Sequence, residues 1–175
     1  YLFEYDNPSE DWTEIAKITD PKSRPDGRFG QVFEFGSENL LFVGDSSGPN
    51  ADGENWGAVY VYQIENKQPT LIQTFTTSNF SDLNYWESGY AGLGSSISVK
   101  NDLLAVGCPN HNSPEAVDGG AVVIFKISSD GLITPINKLI SPVPASSGWF
   151  GMALDLDDSR MIVGAPNEFS GPGIR

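Results

Sequence analysis

The chain has 175 residues, 23 of them acidic and 10 basic, for a formal net charge of −13. That balance excludes nucleic acid as a natural partner, because a phosphate backbone is drawn to clustered Lys and Arg and only Lys22, Arg24 and Arg28 lie close together. Nineteen glycines, 12 prolines and 39% hydrophobic residues describe a turn-rich β protein, and no apolar run approaches the ~20 residues of a membrane helix.

In chain order, Tyr1-Leu2-Phe3-Glu4-Tyr5 predicts a first strand and the stretch from Trp12 to Ile18 a second. Runs of branched and aromatic residues then predict strands over Val32–Phe35 and residues 40–43, 60–64 and 71–75. No helix is predicted. The intervening segments, such as Ser46-Ser47-Gly48-Pro49-Asn50-Ala51-Asp52-Gly53, are clusters of turn formers.

The pattern then repeats. Phe29-Gly30 precedes Val43-Gly44-Asp45-Ser46, Leu93-Gly94 precedes Val106-Gly107-Cys108-Pro109, and Phe150-Gly151 precedes Val163-Gly164-Ala165-Pro166, the paired glycines lying thirteen or fourteen residues apart. A further glycine keeps step, Gly57 before Ala58-Val59-Tyr60 and Gly120 before Ala121-Val122-Val123. A unit of about sixty residues that cannot bury its apolar face alone must stack on copies of itself. Four short antiparallel strands per unit make a propeller blade.

Phe-Gly, a hydrophobic stretch and Val-Gly-Ala-Pro spell the motif of the FG-GAP family, and the chain resembles that family over essentially its whole length, the third copy keeping every letter. Its details resemble the short-loop branch, in which the fourth strand begins near a tryptophan. The resemblance implies the architecture of the integrin alpha-subunit head: an all-β β-propeller of four-stranded antiparallel blades, with about three blade equivalents present. Residues 1–20 are then the last two strands of a preceding blade, 21–78 and 79–141 are blades, and 142–175 is the first half of another.

Such repeat residues serve structure. The motif phenylalanines are expected to wedge between blades, the glycines to let backbones approach, and Val-Gly-Ala-Pro to end a buried strand in a turn; Trp56 and Trp149 are expected to pack within blades. Propellers close with about 4 to 8 blades. The chain is therefore expected to be part of a longer polypeptide that supplies the remaining blades, or else copies of it close a ring together.

Integrin-type blades carry an Asp-x-Asp-x-Asp-Gly calcium loop ahead of Val-Gly-Ala-Pro. This sequence departs from that pattern: Asp155-Leu156-Asp157-Asp158 lies too close to Val163, and Phe35-Gly36-Ser37-Glu38-Asn39 and Val99-Lys100-Asn101-Asp102 predict tight hairpin turns. Calcium needs six to eight converging oxygens. The remaining oxygen-rich groups, Asp45, Asn50, Asp52 and Asn55 and then Asn110, Asn112, Glu115 and Asp118, have the composition of turns, so no metal or cofactor is assigned.

Catalytic constellations are sparse. His111 is the only histidine and is expected to be solvated in a loop. Cys108, the only cysteine, stands at the alanine position of the motif and is expected to be a small buried hydrophobe. Paired carboxylates occur only as neighbours in turns.

Two features point outward. Asn79-Phe80-Ser81 matches an N-glycosylation acceptor, and it falls in a seven-residue insertion that lengthens the loop over residues 76–89. That loop carries Tyr85 and Trp86, with Tyr90 close behind, the residue types of a partner contact. The expectation is a non-catalytic extracellular or cell-surface binding and adhesion module for a protein or glycan ligand. Its alternatives are a structural component of a surface filament or cilium-associated assembly, and part of a propeller enzyme whose site lies elsewhere.

Overall fold

The computed structural model describes residues 1–37, 39–48, 56–80, 91–129 and 131–168. Twelve strands form four antiparallel sheets among these residues. The first pairs β1 (Leu2–Asp6) with β2 (Asp11–Ala16); the second is the meander β3 (Val32–Phe35), β4 (Leu40–Asp45), β5 (Ala58–Glu65), β6 (Gln68–Thr76). The third repeats it with β7 (Ser96–Lys100), β8 (Leu103–Cys108), β9 (Ala121–Ile127) and β10 (Ile133–Leu139), and the fourth pairs β11 (Ala153–Leu156) with β12 (Met161–Gly164).

The expected all-β class is what the chain adopts, and a closed ring is not seen. Within the loop expected after β6, a single turn of 3-10 helix spans Thr77–Phe80. The Asn79 side-chain carbonyl accepts the Thr76 N–H at 2.7 Å, so the chain coils where β6 ends instead of running on.

The main core lies between the two meanders. Leu40, Phe42, Val59, Val61 and Phe75 of one sheet meet Leu104, Val106, Val123, Phe125 and Ile133 of the next, with Phe75 and Phe125 ring centroids 4.8 Å apart. The alternate residues of the same strands, Leu41, Val43, Ala58, Tyr60 and Tyr62, form a second cluster on the opposite face with Ile18 and Phe29. Every residue of β4 is buried, because a strand covered on both faces loses the apolar-polar alternation of a half-exposed one.

One junction geometry recurs. Parallel bridges join Gly57 to Leu93 and Gly120 to Phe150, where Leu93 N–H donates to the Trp56 carbonyl at 3.2 Å and Phe150 N–H to the Gly119 carbonyl at 3.0 Å. In each copy the first motif glycine donates its N–H to the carbonyl of the second: Gly30 to Gly44, Gly94 to Gly107 and Gly151 to Gly164, at 3.0–3.1 Å. Gly30, Gly94 and Gly151 have φ of 80, 88 and 91°, left-handed values that favour glycine.

A register shift also returns at one repeat position. It falls between Val61 and Tyr62 of β5, opposite Phe125 and Ile124 in the β9–β10 pair, and between Leu2 and Phe3 of β1. The β1–β2 hairpin is thereby the structural counterpart of β5–β6 and β9–β10, whereas β11–β12 is the counterpart of β3–β4 and β7–β8.

Candidate functional site

The loops that follow β4, β8 and β12 hold the groups with most chemistry. All three begin with one turn: Gly48 N–H donates to the Asp45 carbonyl, His111 N–H to Cys108 and Glu168 N–H to Ala165, at 2.8, 3.1 and 3.1 Å. Upon this shared backbone each copy places different side chains.

In the first copy the alanine position is taken by Asp45, fully buried and ion-paired with Arg24. Its Oδ1 also accepts the N–H groups of Arg28 at 3.0 Å and Ser47 at 3.2 Å. Arg24 in turn donates to the Ser47 carbonyl, and Asp20 accepts the Arg24 N–H at 3.2 Å. Asp45, expected among turn-forming oxygens, is thus the centre of an internal ion pair that fastens residues 20–28 onto the loop, because a buried carboxylate needs a charge and donors around it. Nearby Tyr60 has its pKa pushed up to about 12, first by burial and then by Asp45. Asn50, Asp52 and Asn55 lie outside the described residues.

The second copy corrects the expectation for His111. It is 2% exposed rather than solvated, and its Nε2 lies 3.4 Å from Lys138 Nζ, which β10 brings under the loop. Burial, then the Lys138 charge, pulls the His111 pKa down to about 4, and burial lowers that of Lys138. The imidazole is therefore neutral at physiological pH. Cys108 is fully buried as expected, and burial pushes its thiol pKa strongly upward, away from nucleophilic use.

Asn112 accepts the Asp118 N–H through its side chain at 2.8 Å, a turn role, and no group of three or more His, Cys, Asp or Glu able to hold a metal occurs among the described residues. Asp157 caps its own hairpin, accepting the N–H groups of Ser159 at 2.8 Å and Arg160 at 2.6 Å. No helix among those residues is long and apolar enough to cross a membrane.

The motif residues divide by place. Val43, Gly57, Leu93, Gly94, Val106, Gly107, Gly120 and Gly151 are buried, while Phe29, Phe150, Val163, Gly164 and Ala165 are half-buried and Gly30 and Pro166 exposed. Phe29 meets Tyr60 edge-on at 5.4 Å. Trp56 and Trp149 are half-buried beside the junction bridges.

Asn79 is exposed; Tyr85, Trp86 and Tyr90 lie outside the described residues. An unforeseen feature is an apolar cleft of about 460 Å³ between β1–β2 and β3–β4, lined by Leu2, Trp12, Ile18, Phe33, Phe35 and Leu41 among others. Its signal in the sequence is the aromatic alternation of β3. No protein-family model matches the chain, and no curated protein matches it significantly.

Proposed function

We propose that the chain is a segment of an FG-GAP-type β-propeller that serves as a non-catalytic binding and adhesion module outside the cell or on its surface. The observation that carries this is the repeated junction, in which Gly57–Leu93 and Gly120–Phe150 join successive sheets by the same step. Meander sheets related by one repeated step are the construction principle of a radial array of blades. Such a scaffold is rigid, and its inter-strand loops collect at the rims, where recognition is placed.

Within that frame the lengthened loop over residues 76–89 is the contact surface, with Tyr85 and Trp86, and Tyr90 close behind, offering aromatic area to a protein or glycan ligand. Exposed Asn79 is the glycan acceptor, and the net charge of −13 suits a soluble surface facing ions. Surface plasmon resonance of the purified chain against extracellular-matrix proteins and immobilised glycans tests this. Saturable binding that falls at least tenfold in Trp86→Ala supports the module; binding to no member of the panel overturns it.

A further inference from the structure

We propose that Lys138 is a site of covalent modification by small aldehydes, which form an imine at its Nζ while His111 Nε2 takes up the departing protons. The inference goes beyond the binding-module reading and does not depend on it.

It starts from the register of β9–β10. Pro135 opposes Phe125, and a regular ladder would then bring Asn137 opposite Val123; the shift between Pro135 and Asn137 brings Lys138 there instead. Residues directly opposite one another share a face of the sheet, and a one-residue slip exchanges the two faces. Val123 belongs to the core between the meanders, so the Lys138 stem is laid toward the apolar side. Bulges re-aim side chains in this way beside functional sites.

The second element is the loop after β8. His111 N–H donates to the Cys108 carbonyl at 3.1 Å and the His111 carbonyl accepts the Gly120 N–H at 3.0 Å, so its backbone is held on both sides. The imidazole, 2% exposed, comes to 3.4 Å from Lys138 Nζ. In the first copy Gly48 closes the turn that His111 closes here, and Thr74 opposes Tyr60 as Lys138 opposes Val123. The stacking of the repeat therefore does not require this pair of side chains.

Two basic nitrogens this close can share one proton but resist carrying two charges. Lys67, Lys100 and Lys126 face the carboxylates of Glu4, Asp158 and Asp102, which stabilise their ammonium forms; an uncharged imidazole beside Lys138 gives no such support. Burial lowers the Lys138 pKa and keeps His111 neutral, while Cys108, the other titratable group that bears on the amine among the described residues, stays protonated. A desolvated lysine of this kind supplies the neutral amine that Schiff-base chemistry needs.

In the step itself the Nζ lone pair forms a bond to the carbonyl carbon and the C=O π pair moves onto oxygen. Both amine hydrogens then pass by way of Nε2 to that oxygen, which leaves as water when the C=N bond forms. Amine and aldehyde give imine and water, with nothing oxidised or reduced. An imine is a weaker base than an amine, so the product also removes the charge that the site disfavours.

The test treats the folded chain near pH 7 with limiting formaldehyde and an amine-borane reductant, which traps each imine as a methylated lysine, and maps the labelled positions by mass spectrometry. Lys138 is expected to react about tenfold faster than exposed Lys22, well within what a positioned base contributes. A rate at or below that of Lys22 overturns the proposal. His111→Gln, checked for folding by its melting curve, should bring Lys138 down to the rate of Lys22 and leave Lys22 unchanged; an undiminished Lys138 rate in the folded variant overturns it. Should that variant not fold, the native chain decides by a pH series, in which the Lys138 rate levels off at lower pH than that of Lys22 and coincident profiles overturn the assignment.

Discussion

Gly107 lies in β8 and Gly151 in the turn that leads into β11, and the carbonyl oxygen of Gly151 occupies the space where a side chain at 107 would begin. Ser96 Oγ donates to the same oxygen at 2.8 Å, so that carbonyl is held in place. Neither backbone can withdraw without breaking the Gly151–Gly164 hydrogen bond or the Gly120–Phe150 bridge. Gly107→Val is expected to destabilise the fold by about 3 kcal/mol, the upper end of overpacking costs. Chemical denaturation checks this, and an unchanged midpoint would show that the sheets are not in register contact.

A second prediction concerns the ion pair between Asp45 and Arg24. Removing either partner strands a buried charge, which costs roughly 3–5 kcal/mol, whereas removing both often costs little. Asp45→Ala and Arg24→Met should each lower stability by about 3 kcal/mol or more, and the double variant should recover most of the loss. Additive losses in the double-mutant cycle would mean that the two charges act independently.

These two relationships differ in how far the sequence betrays them. The glycine contacts are legible because the same backbone approach is made repeatedly, and each time it leaves a glycine at a fixed interval. The strand pairs are legible for a related reason, since alternating Leu40 and Leu41, or Val59 and Tyr60, serve two opposite clusters. The Asp45–Arg24 pair and the Lys138 approach to His111 occur once each and join loops or strands distant in sequence, so no periodicity marks them. The 3-10 turn is hidden because a single side chain, Asn79, redirects the end of β6, and local capping of that kind competes with strand propensity without altering composition.

Cys108 gives a third prediction. Its sulfur is fully buried within the core between the meanders, and burial holds the thiol protonated. Reaction with a chromogenic disulfide at pH 8 should therefore follow global unfolding, becoming fast only in denaturant. Rapid stoichiometric labelling of the native chain would place the thiol at the surface and reopen it as a nucleophile.

The last prediction follows from His111. Its pKa is about 4 in the fold against an ordinary 6.5, so between these values the unfolded chain binds the proton that the native chain refuses. Stability therefore rises with pH across this window, and the contribution of the neutral imidazole is fully present above 6.5 and lost progressively as pH falls toward 4. Each tenfold difference in proton affinity between the two states is worth ~1.4 kcal/mol, which makes the whole loss roughly 3 kcal/mol. Carboxylates titrate in the lower part of the same range, so the informative quantity is the difference between the native chain and His111→Gln. Denaturation midpoints from pH 4 to 7 should show a shallower slope in the variant between 5 and 6.5. Parallel slopes would mean that the histidine is solvated and that Lys138 does not press upon it.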